Sequence, residues 1–380
     1  MLISYGRHSV DKTDIKSVSK ALKGDFLTQG SFVKKFEILL NKKLRSKYAT
    51  VVNSGSSALL LVGKILKWKK GDLVAVPPIT FLSSVNTVEH CGAKPVFVDI
   101  NMHDYCMDPN KLEIILKKDK YKKIKAAIVT DYGGQPAQWE KFFQLKKKYK
   151  IILINDNCHA IGSSIKKNFG YATKYADFAT LSFHPVKAIT TGEGGAILTN
   201  NLKYDKKAKL LRSHGMVRNN NTYWIYKMNN LGFNFRLPDI NCALGISQLK
   251  RMDKFISKRR KISKMYNKFF FDKEKFTIPN KIKDTSNSFH LYPLLINIKK
   301  IKINKNNLIK KFLKYGIKLQ VHYVPVNSQP YYRKKYGLNL KNYVNSFKFY
   351  NSEVSIPIYY DLTDAEIKKF CKVCKKLFKI

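Results

Sequence analysis

The chain has 380 residues, with 72 Lys and Arg against 26 Asp and Glu, giving a formal charge of +46. That length suits two ordinary domains or one large domain with a smaller companion, and 44% hydrophobic with 13% aromatic residues excludes global disorder. No apolar run approaches the roughly 18 residues that span a bilayer, which excludes a transmembrane helix.

The start, MLISYGRHSV, lacks the basic, apolar and small-residue regions of a signal peptide. Six cysteines, mostly well separated, read as reduced thiols rather than a disulfide framework. A cytoplasmic protein is expected. The charge invites a nucleic-acid partner, but 63 of the basic residues are Lys and only 9 are Arg. Base readout and phosphate forks favour Arg. Lys, Ile and Asn share AT-rich codons, and short runs such as Lys146-Lys147-Lys148 sit on solvated helix faces. No specific nucleic-acid partner is therefore expected.

Along the chain, Tyr48–Asn53 reads as a strand and Ser56–Trp68 as an amphipathic helix. Short β-branched runs follow at Leu73–Val76, Pro95–Ile100, Ala126–Asp131 and Ile151–Asp156, with helical stretches between them at Ser83–Cys91, Asn110–Lys117 and Gln138–Tyr149. This cadence predicts an α/β fold with a mostly parallel sheet covered by helices. Ligands in such folds bind beyond the carboxyl ends of the strands. From Asp239 to about Phe271 the spacing of Ile240, Ala243, Leu244, Ile246, Leu249 and Met252 predicts a long helix, with Pro238 suited to its first turn. Strand-like Leu291–Ile298, a helix Asn306–Tyr315, a strand Lys318–His322 and a helix from Asp364 predict a smaller α+β domain. The expected division is residues 1–250 and 251–380.

The run Ile151–Asp156 ends in a carboxylate where ligands bind, and a charge there is costly unless something cationic meets it. A helix cap is the ordinary alternative for Asp156. The segment Thr180–Gly195, TLSFHPVKAITTGEGG, places Lys187 among apolar, small and hydroxylic residues. A lysine so placed can lose its proton and become a nucleophile toward carbonyls, although a solvated surface lysine is the plainer reading of it taken alone. Gly192, Gly194 and Gly195 permit a tight turn with positive φ and close backbone approach. A carboxylate followed by such a lysine fits a pyridoxal phosphate site, in which the aldehyde meets a lysine and the ring nitrogen a carboxylate. Asn53-Ser54-Gly55-Ser56-Ser57-Ala58 opens a helix whose N-terminus suits the phosphate.

On these segments, together with FLTQG (Phe26–Gly30), RSHGM (Arg212–Met216), LGFNFRLPDINCALGISQL (Leu231–Leu249), HLYP (His290–Pro293) and QVHYVP (Gln320–Pro325), the whole chain resembles the DegT/StrS-type sugar-nucleotide aminotransferases. These are fold-type I pyridoxal phosphate enzymes. Within the family it is most similar to the branch that makes UDP-4-amino-4,6-dideoxy-N-acetyl-β-L-altrosamine, an intermediate of pseudaminic acid. The resemblance implies Lys187 as the Schiff-base lysine and proton carrier, Asp156 under the ring nitrogen, His159 beside the ring and Phe81 stacked on its face. It implies Gly55, Ser56, Ser57 and Ser182 around the phosphate, with Asn234 reaching it from the neighbouring subunit of a homodimer.

Tyr5, the stretch Asp25, Phe26, Leu27 and Thr28, His184, and the stretch Gln320, Val321, His322 and Tyr323 match positions that line a UDP-sugar. The ordinary alternatives are a surface aromatic for Tyr5 and a satisfied strand histidine for His322. Arg212, Arg218 and Arg236 are candidates for the carboxylate of the amino donor, glutamate in the family. The implied reaction moves that amino group to carbon 4 of a UDP-linked 4-keto-6-deoxy-N-acetylhexosamine. Alternatives are a sister enzyme with another sugar or nucleotide, or a non-catalytic regulator or nucleic-acid-binding protein on the same fold. Some relatives carry histidine in place of the lysine and are dehydratases; this chain keeps Lys187. Cys371 and Cys374 form a lone C-x-x-C on one helix face, read as packing, so no metal is expected.

Overall fold

Seven short strands build the central sheet of the computed structural model, which describes residues 2–219 and 222–380. They are β1 (Tyr48–Val52), β2 (Leu73–Val76), β3 (Lys94–Phe97), β4 (Ile124–Thr130), β5 (Ile152–Asp156), β6 (Phe178–Ser182) and β7 (Gly195–Thr199). Their order across the sheet is β1-β7-β6-β5-β4-β2-β3. The pairs from β3 to β6 are parallel, and β7 runs antiparallel to both of its neighbours. Helices Gly55–Ile65, Leu82–His90, Pro109–Lys118 and Trp139–Tyr149 follow β1 to β4. Because helices cover both faces, each strand must be apolar on both sides. In β4, Ala127 and Val129 join one buried cluster while Ala126 and Ile128 join the other.

The helix Asp239–Phe270 begins after Pro238 and feeds two cores. Its first half buries Cys242, Ile246, Leu249, Met252 and Phe255 against the large sheet. Its second half buries Ile262, Tyr266 and Phe270 in a third cluster, formed around a sheet of Phe276–Thr277, Tyr292–Ile296 and Glu353–Ile356. Helices Lys305–Lys314 and Asp364–Phe378 cover that small sheet. Ile3 reaches across to the same cluster and bridges Ile317. Cys374 is buried there with Cys371 packed at its edge. No helix among the described residues is long and apolar enough to cross a membrane.

The structure departs from the predicted elements in several places. Lys318–His322 is not a strand: it makes one isolated bridge, Gln320 to Ser355, because the His322 N–H is taken by the Glu353 carboxylate at 3.0 Å instead of by a neighbouring strand. The helix expected to reach Trp68 ends at Ile65. Two N-terminal helices, Lys12–Leu22 and Ser31–Leu44, a helix Leu202–Arg212 and a hairpin of Met216–Asn219 with Thr222–Met228 stand where no element was predicted. Lysines and short polar residues on their outer faces mask the apolar stripe that the first two turn toward the long helix.

Candidate active site

A cavity of about 590 Å³ opens at the carboxyl ends of β1, β2, β5 and β6. Asp156, the last residue of β5, is only 4% exposed on its wall. Its Oδ2 accepts a hydrogen bond from Ser84 Oγ at 2.7 Å, and its Oδ1 accepts the Cys158 N–H at 3.2 Å. Ser84 is held in turn by Thr80, which also meets Thr130 at 2.8 Å. The residues after Asp156 form turns rather than a helix, so the helix-cap alternative does not hold. Among the described residues Asp156 makes no salt bridge. A buried carboxylate with two hydrogen bonds and no cation is a costly arrangement unless a cationic partner arrives with a ligand.

Lys187 lies in the loop joining β6 to β7 and lines the same cavity. Burial lowers its pKa below the ordinary lysine value, an effect that the nearby Cys158 and Asp156 partly oppose. Two buried imidazoles share its wall of the cavity, His159 and His290. His159 is buried; its Nδ1 accepts the Gly133 N–H at 3.3 Å, and its Nε2 lies 3.0 Å from the Tyr323 hydroxyl. With Nδ1 engaged as acceptor, the ring proton belongs on Nε2. Gly133 sits in a turn fixed by Asp131, whose carboxylate takes hydrogen bonds from Trp139, Asn155, Asn157 and Tyr171. His290 stacks obliquely on His159 with ring centres 4.5 Å apart. Burial first, then the Lys187 charge, hold the pKa values of His159 and His290 well below the ordinary imidazole range. The histidines are therefore neutral at physiological pH. Lys187 is the one lysine or arginine on the cavity wall among the described residues.

Gly55, Ser56 and Ser182 line the end of the cavity beneath the helix Gly55–Ile65. Ser54 caps that helix, its Oγ accepting the Ser57 N–H at 3.0 Å. The Ser57 side chain, expected beside Gly55 and Ser56, turns back to Ser54 Oγ at 2.9 Å and is buried, off the cavity wall. Of the three glycines in the turn, only Gly192 has positive φ, +80°. Gly195 is needed for close approach instead. A Cβ there would lie 2.5 Å from the Ser54 carbonyl and 2.6 Å from Gly55 N, so β7 passes directly behind the helix N-terminus. Gly195→Ala is expected to displace that loop, costing about 1–3 kcal/mol of stability and weakening phosphate binding. Thermal unfolding and a cofactor titration measure the two effects.

Phe81 is 54% exposed, with its ring at the cavity and 6.0 Å from that of Tyr323. Tyr5, His184, Gln320, Val321, His322 and Tyr323 also line the cavity. His322 is buried and its Nδ1 hydrogen-bonds Ser355 across from the small sheet. Asp25, Phe26, Leu27 and Thr28 do not line it; they are exposed on an outer face, because the Leu27 carbonyl is tied to the Asp239 N–H at the start of the long helix. Asn234 is likewise exposed, in a bridge with Ser213. Arg212 is committed to Glu37 at 2.7 Å and to the Val51 carbonyl. Arg236 borders a separate cavity of about 430 Å³ with Gln29 and Gly30, and the Arg218 side chain lies outside the described residues. Sequence reasoning gave no cavity role to Ser83, Thr130, Cys158, Glu193 or His290, which line it too. His290 and Glu193 stand inside segments already singled out, whereas Thr130 and Ser83 offered no signal beyond their place after a strand or at a helix start.

The donor set fits a pyridoxal phosphate: an uncompensated buried carboxylate, a desolvated lysine, an accessible aromatic face, and a serine-lined helix N-terminus share one cavity. The sheet order, with its single antiparallel strand, and this site define a fold-type I enzyme of the aminotransferase class. The chain belongs to the DegT/DnrJ/EryC1/StrS aminotransferase family, which it matches over residues 8–376. It is 41% identical to a UDP-4-amino-4,6-dideoxy-N-acetyl-beta-L-altrosamine transaminase of Campylobacter jejuni, over 97% of this chain and 96% of that one. Among solved structures it is similar to Helicobacter pylori PseC, an aminotransferase involved in the biosynthesis of pseudoaminic acid, with TM-score 0.92, 32% identity and full coverage of both chains. It is also similar to the PLP form of a putative sugar aminotransferase, Spr1654 from Streptococcus pneumoniae, with TM-score 0.90 and 26% identity over 100% of this chain and 99% of that one.

Proposed function

We propose that this chain is a pyridoxal phosphate-dependent aminotransferase that moves an amino group from glutamate to carbon 4 of a UDP-linked 4-keto-6-deoxy-N-acetylhexosamine. The product would be UDP-4-amino-4,6-dideoxy-N-acetyl-β-L-altrosamine, which feeds pseudaminic acid synthesis. The observation that carries the reading is the pairing of Asp156 with Lys187 in one cavity at the strand ends, beside 41% identity to a transaminase of that name. Bound there, pyridoxal phosphate supplies an aldehyde that takes up and hands on an amino group, and a protonated ring that accepts the electron pair freed at the reacting carbon.

The protein's residues hold and steer. Ser56, Ser182 and the N–H groups at the Gly55 helix start would hold the phosphate. Phe81 would cover one ring face, and the Asp156 carboxylate, clamped by Ser84, would keep the ring nitrogen protonated. Lys187 Nζ, desolvated and so able to exist as the free amine, would take the proton from the donor carbon and return it to carbon 4 of the sugar. Neutral His159 and His290 avoid adding charge that would raise the cost of the Lys187 ammonium.

Among the described residues the wall carries no cation besides Lys187, and a diphosphate needs more positive charge than one lysine offers, which supports a homodimer. The face that carries Asp25–Thr28 and Asn234 also exposes Phe26 (65%) and Leu231 (82%), and the nearby hairpin exposes Trp224 (64%), Tyr226 (61%) and Met228 (60%). Large apolar side chains gathered so suit a twofold interface across which those polar residues would reach the partner's cavity. A division into residues 1–250 and 251–380 is supported by the separate apolar cluster of the C-terminal part, with Ile3 crossing to it. A cytoplasmic location suits a chain acting on nucleotide sugars.

The test is incubation of pure protein with glutamate and a panel of UDP- and dTDP-4-keto sugars, with NMR identification of the product. The 4-amino altrosamine from the UDP sugar, with parallel initial-rate lines for the two substrates, is the expected result. Intersecting lines would exclude a two-stage transfer through one site, and a different preferred sugar would assign the chain to a sister activity.

A further inference from the structure

Behind the cavity wall, three side chains form a chain of hydrogen bonds that ends at the substrate side. Glu353 opens the strand Glu353–Ile356, and Ser355, two residues on, points to the same side of that strand. Both are fully buried, at 0% exposure. Glu353 Oε1 accepts from Ser355 Oγ at 2.6 Å, and its Oε2 accepts the His322 backbone N–H at 3.0 Å. Ser355 Oγ lies 2.8 Å from His322 Nδ1. The His322 carbonyl takes the Tyr132 hydroxyl at 2.5 Å, so the loop is held at both its N–H and its C=O. The His322 ring lines the cavity next to Tyr5, with ring centres 5.1 Å apart. Its Nε2 has no hydrogen-bond partner among the described residues.

Counting protons along the chain fixes its polarity. An ionised carboxylate has only acceptors, and both Glu353 oxygens are in use. Ser355 has one hydroxyl hydrogen, which goes to Glu353, so toward His322 the Ser355 oxygen can only accept. His322 must then donate from Nδ1 and leave Nε2 bare. Burial, with the Lys187 charge adding to it, pushes the His322 pKa down to about 3, so the ring stays neutral. Burial raises Glu353 to about 7, against the donors from Ser355 and His322 and the charge of nearby Lys305; above that pH the carboxylate is ionised and the polarity holds.

We propose that Glu353 and Ser355 are positioning residues that lock His322 as the Nδ1–H tautomer, so that Nε2 meets the bound sugar nucleotide as an acceptor for a hydroxyl or N–H donor. The ligand part rests on the reading of the cavity as a sugar-nucleotide site, whereas the tautomer does not. Glu353→Gln supplies the decisive contrast. The Gln oxygen would remain with the fixed His322 N–H, leaving its NH₂ to donate to Ser355. The hydroxyl would then turn to donate to His322 Nδ1, and the ring hydrogen would move to Nε2.

The experiment is ¹⁵N NMR of histidine-labelled full-length protein at about pH 8.5, above the Glu353 value, without substrate. The His322 signals are identified by their loss in His322→Gln. The expected result is a protonated Nδ1 and a bare Nε2 in the unaltered protein, reversed in Glu353→Gln and mixed in Ser355→Ala. The KM for the sugar nucleotide should rise about tenfold in Glu353→Gln, the value of one hydrogen bond, with the rate on the amino donor alone unchanged. Nε2–H in the unaltered protein overturns the proposal even if no variant folds, as does a folded Glu353→Gln with the original tautomer. The expected spectra with an unmoved KM would keep the relay and overturn its contact with the sugar.

Discussion

Replacing Lys187 with Ala is expected to lower turnover by at least about 10⁴-fold, the upper range for loss of a positioned acid–base group, and to abolish the lysine-dependent visible absorbance of bound cofactor. Steady-state rates and an absorption spectrum check both. Retained biological function in a variant that binds no cofactor would instead favour a regulatory or nucleic-acid-binding role for the fold. The same residue makes a stability prediction with a definite sign. Burial depresses the folded-state pKa of Lys187, so at pH values below that pKa the chain must bury an ammonium that the unfolded chain leaves in water. The cost is fully present there and fades as pH rises through the folded pKa toward the unfolded value. Lys187→Met, which keeps the volume and removes the charge, should therefore stabilise the cofactor-free protein near neutrality. Its advantage should shrink at high pH, as followed by urea unfolding across the pH range.

Asp156→Asn should lower kcat by about 10²- to 10³-fold, the effect of about 3–4 kcal/mol for a buried charge that loses its counter-charge. The fold should survive, because an Asn oxygen can still accept the Cys158 N–H while the Ser84 hydroxyl turns to accept from the amide. What the variant lacks is a negative charge opposite the ring nitrogen, so cofactor affinity should fall together with kcat. Rates and a cofactor titration separate this from unfolding, which circular dichroism would report. An unchanged kcat would remove Asp156 from the proposed role.

Much of this site could be read from local sequence because its parts lie next to chain features with their own signatures. Asp156 ends an aliphatic run, Lys187 stands out in a loop of small and hydroxylic residues, and Ser54–Ser57 opens an amphipathic helix. Even there, detail escaped. Ser57 is expected on the phosphate, and its side chain is turned to the capping Ser54 rather than lining the cavity. The stretch Lys318–His322 has strand composition and yet forms a loop, since a side chain 31 residues away supplies the acceptor that a neighbouring strand would have given. The Lys-rich amphipathic helices Lys12–Leu22 and Ser31–Leu44 went unseen because their polar faces dominate the composition, while only contact with the long helix gives their apolar stripes a purpose.

The sequence by itself determined the alternation of strands and helices, the long helix after Pro238, and which carboxylate, lysine and serines to propose for the site. These depend on periodicity and on residue chemistry over short spans, which the chain carries wherever it folds. Only the tertiary structure decided that Asp156, Lys187, His159, His290 and Tyr323 share one cavity and that the histidines there are neutral. It alone placed Asp25–Thr28 and Asn234 on the outer face and linked Glu353 through Ser355 to His322. Burial and hydrogen-bond polarity belong to groups brought together from distant parts of the chain. Most of the excess positive charge, by contrast, has no counterpart in the site: one lysine of the 63 stands on the cavity wall.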